Sequence, residues 1–388
     1  MNDTTQYRAI VWAQFRRRRL AMASLGIMLG LVFLAVFAPL LASNKPFLWY
    51  TSAEGWSSPW IRSLFDRNFF ESGLDLVFNT TLVFAPLFAV VFALGARTRR
   101  WRRPAVFTWF GVTILVLVFS GSEPKRVYPV VQSELESAGV EVFALYPPFP
   151  YSFRDIDLKA VREPPSLSHW LGTDNAGRDV LTRLVYGTRI SLTVGLFAVA
   201  LYILVGTFLG ALAGYYGGWV DLVIQRMIEV MLSIPSLFLI LTVAAFIEER
   251  SIFHIMLIIA AVQWTTPARL VRGEVLRLRD QDFVVAARAS GFSEGTIVFR
   301  HILPNAIGPV LVAATFGVAA AILIESTMSF LGLGDITVPS WGQILSTGRT
   351  TGMWTLILAP GFAIFLTVSV LNLLGDGLRD ALDPKLRS

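Results

Sequence analysis

Long apolar runs separated by short polar links dominate the chain. Eight of them approach or exceed membrane-spanning length: Leu20–Leu41, Leu76–Gly95, Ala105–Gly121, Ile190–Gly214, Leu222–Ile247, Ile252–Leu270, Ala306–Phe330 and Trp354–Leu374. About 20 apolar residues are needed, because each adds about 1.5 Å of rise and the hydrocarbon is about 30 Å thick. The pattern therefore predicts an all-α polytopic membrane protein with eight transmembrane helices. Pro86 and Pro235 fall inside two of the runs, which a membrane helix tolerates when neighbours satisfy the freed carbonyl. Leu20–Leu41 exceeds a signal-peptide core, and no small-x-small cleavage site follows it, so it reads as a retained anchor.

Composition agrees: 54% of residues are apolar and 15% charged, against about a quarter charged in soluble domains. With no cysteine, disulfides, iron–sulfur clusters, thiolate zinc sites and cysteine nucleophiles are excluded. His169, His254 and His301 show no metal-ligand spacing, so neither a metal site nor a cofactor is expected. The net charge of +6 does not imply nucleic acid, because the basic residues gather where apolar runs end and face lipid headgroups. Eight spans with both termini in the cytoplasm place 19 Lys and Arg in the tails and links inside, against five in the short outside links; this is the positive-inside asymmetry. Trp49, Trp56, Trp60, Trp170, Trp341 and Trp354 sit where an interfacial aromatic belt is expected, with packing inside the outer loops as the alternative.

One polar segment stands out. Arg279–Asn305 (RDQDFVVAARASGFSEGTIVFRHILPN) is too polar to span a membrane. Phe283, Ala286, Ala287 and Ser290 recur at helical spacing and form a narrow face of mostly small residues. Gly291 is placed to end that helix in the left-handed conformation. Ser293 is placed to cap a second helix with Ile297, Val298, Ile302 and Leu303 on its apolar face, and Pro304 leads into the next span. The segment is either a peg for a cytoplasmic partner or an amphipathic connector on the bilayer surface.

These residues resemble the EAA loop of ABC importer permeases: Ala286, Ala287, Gly291, Leu303 and Pro304 match, while Val285 replaces the usual acidic residue and His301 a usual isoleucine. HILPN is similar to the form in the peptide-importer branch. His169–Gly195, Glu325–Leu345 and Asn372–Leu386 look like further segments of the oligopeptide/dipeptide permease C-type subunits, in the same order. The resemblance covers 165–388 and the Arg-rich N-terminal anchor; a longer loop after ASNKP is similar to the Yej-type microcin and peptide branch. It implies a type I importer core with Ala286, Ala287, Gly291, His301, Leu303 and Pro304 coupling to an ATPase. The implied partners are a sister permease, two ATPase subunits and an extracytoplasmic solute-binding protein. The implied setting is the bacterial cytoplasmic (inner) membrane. Peptides are the implied cargo, with nickel complexes and glutathione-like compounds also carried in the family.

The expected layout follows. Residues 1–42 form the cytoplasmic tail and first span, and 43–165 an insert unusual for the family, with a peripheral hairpin over 76–121. Residues 166–189 are read as an outer interfacial helix, starting at Asn175 after a Thr173 or Asp174 cap. Its polar side carries Arg178, Asp179 and Arg183, and the family's outer motif includes Asp174, Gly177, Arg178 and Asp179. The core occupies 190–374 with coupling helices at 279–305, and 375–388 is a cytoplasmic tail begun by Gly375 and Gly377, which end the last span.

Charges inside spans are costly and mark functional surfaces. Arg226 and Glu229 lie one turn apart and are placed for a structural ion pair, with Glu229 also a candidate for the translocation path. Glu325 either lines the path or caps the glycine turn of FLGLG; Met231, Ser233 and Met328 are further candidates for an adaptable lining. The chain has no G-x-x-x-x-G-K-[ST] phosphate loop, no H-E-x-x-H and no G-x-S-x-G, so catalytic residues are not expected and ATP hydrolysis would fall to other subunits. A secondary transporter is the rival class, but no inverted repeat is evident.

Overall fold

Apolar length governs most of what forms. The computed structural model describes residues 3–67, 70, 73–95, 109, 111–116 and 127–382. Four helices within them are long and apolar enough to cross a membrane: Arg19–Leu41, Val180–Tyr216, Glu294–Phe330 and Trp354–Leu382. Counting each of two bent pairs as one span makes six: Gly218–Ser233 with Ser236–Ala245, and Ile252–Gln263 with Thr265–Leu278. Gly73–Gly95 adds a 23-residue apolar helix, while the expected span 105–121 lies largely outside the described residues.

The chain divides into two units, one of Met1–Leu29, Ser191–Ile336 and Gly361–Ser388, the other of Gly30–Ile190 and Thr337–Pro360. In the first, Gly206, Gly210 and Gly214 form a stripe along one helix. A Cβ there would come within 2.5 Å of the Trp264 carbonyl oxygen, 2.4 Å of that of Ala268 and 2.8 Å of that of Arg272. Helices held by lipid rather than water gain from such close backbone approach. The Asp3–Arg17 helix and the start of Arg19–Leu41 pack on the end of Trp354–Leu382: Phe15, Ala21 and Ala381 are buried together, and Arg18 pairs with Asp380 at 3.0 Å. Gly375 and Gly377 do not end the last helix, which runs to Leu382. Their role is steric, since a Cβ at Gly377 would lie 2.4 Å from the Ala21 Cβ.

The second unit is organised around a buried arginine. Arg189 donates to the carbonyl oxygen of Ala35 (2.7 Å), to Asp75 Oδ1 (2.9 Å) and to Asn79 Oδ1 (2.9 Å), and its guanidinium lies over the rings of Phe78 and Tyr186. Asp75 and Asn79 belong to the first turns of Gly73–Gly95. The first turns of that arm of the expected hairpin are therefore tied to the interior by a charged network. Strands Leu48–Thr51, Gly55–Ser57 and Val142–Leu145 form a small antiparallel sheet in the order second, first, third, an exception to the all-α expectation. These strands are three or four residues long, too short to register in a reading by hydropathy. Nearby, Asn44 donates to Asp155 at 2.8 Å, and burial pushes the Asp155 carboxyl above its ordinary range.

The tryptophans split between the two expected roles: Trp49 and Trp341 are buried, while Trp56, Trp170 and Trp354 are exposed.

Candidate coupling and translocation sites

The 281–305 segment forms as two turns of structure on a long stem. Asp282–Ala289 is helical, and its end is closed by Ser290 N–H to the Ala286 carbonyl (2.9 Å) and Phe292 N–H to the Ala287 carbonyl (3.3 Å). Gly291 takes φ +79° with no atom near an added Cβ, so glycine is required there by conformation and not by space. Ser293 caps the following turn by accepting from Thr296 N–H. Val284, Ala287, Ile297, Val298 and Ile302 are buried in one cluster with Val271 and Val275. Phe283, Ala286 and Ser290 are exposed. Ala287 thus belongs to the inner face and not to the exposed face expected of it, because residues 284 and 287 share the side turned to the stem.

The second expected helix does not stop before a span. Glu294 to Phe330 is one continuous 37-residue stretch, with a single wide turn at Ile297–Ile302 in which the Leu303 N–H reaches the Val298 carbonyl. Pro304 is the second residue after the widened turn. A proline here cannot donate to the carbonyl four residues back, and the wider spacing lets the helix continue. His301 is half-buried against the Phe292 ring at 5.5 Å, and its Nε2 atom has no hydrogen-bond partner. Leu303 is half-buried and Pro304 exposed.

The expected fifth span is broken. Gly218–Ser233 meets Ser236–Ala245 at 82°, with Ile234 and Pro235 extended between them. The proline has no N–H and its ring disfavours a helical residue before it, so the chain turns there instead of continuing with a kink. Arg226 and Glu229 form the expected ion pair on this helix, and both are exposed. Met231 is half-buried and Ser233 exposed, and the Ser233 hydroxyl donates to the Val230 carbonyl. Arg272 grips Asp221 through two bonds of 2.5 and 2.6 Å, tying Gly218–Ser233 to Thr265–Leu278.

Glu325 is buried and accepts from Ser329 at 2.8 Å and from Ser191 and Ser326 at 3.4 Å. Ser329 abuts Gly334 and its carbonyl accepts from Gly332 N–H, so the carboxylate supports the glycine turn. Met328 is fully buried beside it.

The family described as "Binding-protein-dependent transport system inner membrane component" matches residues 206–388, which contain all of these groups except Ser191. The family described as "N-terminal TM domain of oligopeptide transport permease C" matches residues 6–54. A dipeptide transport system permease protein DppC of Alkalihalophilus pseudofirmus is 47% identical over 58% of this chain and 74% of its own length. A glutathione transport system permease protein GsiD of Pectobacterium atrosepticum is 42% identical over 60% of this chain and 78% of its own. An oligopeptide transport system permease protein OppC of Bacillus subtilis is 38% identical over 61% and 78%. The chain belongs to this family of inner-membrane ABC importer permeases.

In this permease the 166–179 stretch is a turn-rich loop, not an interfacial helix. Helix begins at Val180 and runs without a break to Tyr216. The Asp174 carboxylate accepts from the backbone N–H groups of Ala176 and Arg178 and pairs with the Arg178 side chain at 2.8 Å. Such local bonds compete with helix. Gly177 sits at φ +73°, where an added Cβ would lie 1.8 Å from the Asp157 carbonyl oxygen. Asp179 caps the true helix start by accepting from Thr182 N–H (2.7 Å) and holds His169 Nδ1 at 2.9 Å. Asp174, Asp179 and Arg183 are buried, so the polar side faces protein.

Proximity of the sequence candidates is therefore uneven. Ala287, Ile297 and Ile302 come together, Arg226 pairs with Glu229, and Glu325 gathers serines. The reading by apolar runs missed Trp219 and Trp264 beside Arg226. Trp219, Val223, Arg226 and Val230 follow one helical stripe, which the 3.6-residue period could have revealed.

Proposed function

We propose that this permease moves peptides inward across the bacterial inner membrane as one half of a heterodimeric pore. Separate ATPase subunits power it and a solute-binding protein delivers the cargo. Both termini and the 281–305 segment lie on the cytoplasmic side. The observation that carries this reading is the exposed face of Phe283, Ala286 and Ser290 on a short helix whose other face is sealed onto the long Glu294–Phe330 stem. Closure of the ATPases would push that peg, and a continuous stem transmits the push into the membrane as a rigid element. The relatives named for dipeptide, oligopeptide and glutathione transport support a cargo of short peptides and peptide-like compounds. Ala286, Gly291, Leu303 and Pro304 serve coupling, with His301 at the junction. Arg226, Glu229, Met231 and Ser233 face the path, and Glu325 and Met328 shape its rim.

The test is purification of the tagged chain from its native membrane in mild detergent, followed by mass identification of what accompanies it. Recovery of a second permease and ATPase subunits is expected. Recovery of the chain alone or only with itself would favour a secondary transporter.

A further inference from the structure

Arg189 and Glu325, two buried charged side chains of this permease, are each satisfied by several protein groups. Arg226 and Glu229 are not enclosed in this way: the pair is 70% and 57% exposed, on a helix otherwise rich in Val, Leu, Ile and Met. They stand 8 and 11 residues beyond Gly218, which is about 12 and 16 Å along the helix axis at 1.5 Å per residue. Both lie on the helix that leads into the 82° break at Ile234 and Pro235. Charges on an apolar membrane helix face a polar pathway or a partner, not lipid, and broken helices are a recurrent setting for solute sites.

Beside the pair lies a cavity of about 550 Å³, lined by Arg226 itself together with Trp219, Val223, Met227, Met231 and Trp264. Two indole rings and two methionines make an apolar wall that can adapt to different side chains. The Asp221–Arg272 clamp holds the helix that carries it.

From this juxtaposition we propose that Arg226, Glu229 and the adjoining cavity form this chain's half of a binding site for a short peptide with both termini free. The peptide carboxylate lies on the Arg226 guanidinium, its ammonium group on Glu229, and one apolar side chain in the cavity. The inference rests on the peptide-import reading and assigns the cargo to particular residues. In the empty state each charge neutralises the other across one helical turn. An arriving zwitterion replaces that single ion pair with two charge-assisted contacts, so no charge is left unpaired. Fully extended residues span about 3.5 Å each, so a dipeptide, about 7 Å long, matches the reach of two side chains one turn apart as they splay. The wall accepts varied apolar side chains, and the two charges require only the termini common to all short peptides.

The experiment uses the complete transporter, with its sister permease, ATPases and binding protein, in vesicles of phosphatidylethanolamine and phosphatidylglycerol. Uptake of labelled leucyl-leucine is compared for wild type, Arg226→Gln, Glu229→Gln and the swap Arg226→Glu with Glu229→Arg, each checked for subunit recovery and thermal midpoint. Each single variant is expected to lower uptake about ten- to a hundredfold, the range for losing one charge-assisted contact, with assembly and thermal midpoint unchanged. The swap restores the ion pair with reversed polarity while the cavity stays where it was, so uptake is expected to stay low. Wild-type uptake by either single variant, or full recovery by the swap, would overturn the inference and leave the pair structural. Absence of leucyl-leucine uptake by the wild-type complex, with other peptides also refused, would instead overturn the peptide reading itself.

Discussion

Arg189 and Arg226 are both arginines on long apolar helices, and their surroundings differ in every respect. Arg189 is fully buried and is met by Asp75, Asn79 and two backbone carbonyls, with aromatic rings against its faces. Arg226 has Glu229 and open space. The chain invests a complete hydrogen-bond shell where a charge holds helices together, and leaves the shell incomplete where a charge awaits something. The 281–305 segment repeats the contrast without charge: Val284 and Ala287 are sealed inward while Phe283 and Ala286 are bare. Sealed groups should therefore report on stability, and open groups on function.

The sharpest way to break this division is at Arg189. Replacing it with methionine strands Asp75 in the interior, and breaking a buried pair in this way costs about 3–5 kcal/mol. A large fall in the thermal midpoint of the detergent-solubilised protein is expected, partly restored when Asp75→Asn is added. An unchanged midpoint would show that the network is not a fastening. For the stem, Ile302→Ala empties a fully buried position and should cost about 2–5 kcal/mol, again read as a lower midpoint.

Gly291→Val is intermediate. Its φ of +79° is disfavoured for a side-chain-bearing residue by about 1–2 kcal/mol, and the helix end must rearrange. Membrane insertion should persist while ATP hydrolysis and uptake come apart; normal uptake would argue against a rigid peg. The smallest effect on stability belongs to Arg226→Gln, since exposed ion pairs contribute less than about 1 kcal/mol. A midpoint drop as large as that for Arg189→Met would erase the distinction between the two arginines.

Much of this was legible from residue spacing. The apolar runs foretold the four helices long enough to span and the two bent pairs, the Gly291 and Ser293 positions foretold the end of one helix and the start of the next, and the i, i+3 spacing foretold the Arg226–Glu229 pair. What stayed hidden depended on distant partners. Arg189 lies at the edge of an apolar run, and its fastening is visible only once Asp75, 114 residues away, is beside it. The amphipathic spacing from Asn175 through Val185 suggests a helix start at Asn175, but Gly177 and the local bonds of Asp174 keep the chain in a loop up to Asp179, and only the Asp157 backbone pressed against Gly177 shows why. Continuity through Pro304 was concealed because a proline ordinarily marks a helix start, and the widened turn before it leaves no sequence signature. The 82° break at Pro235 was the opposite error, since a tolerated proline and a breaking one read alike.

The claim that the 281–305 peg docks on an ATPase can be tested at single positions because the chain contains no cysteine. A thiol placed at Ala286, on the exposed face of the peg, would be the chain's sole thiol, as would one at the exposed Trp56 in the segment assigned to the opposite side of the membrane. A short thiol-to-amine cross-linker applied to native membranes should join the Ala286→Cys chain to an ATPase subunit and leave the Trp56→Cys chain unjoined to it. Cross-linking of Trp56→Cys to the ATPase, or none from Ala286→Cys while the ATPase co-purifies, would contradict the account.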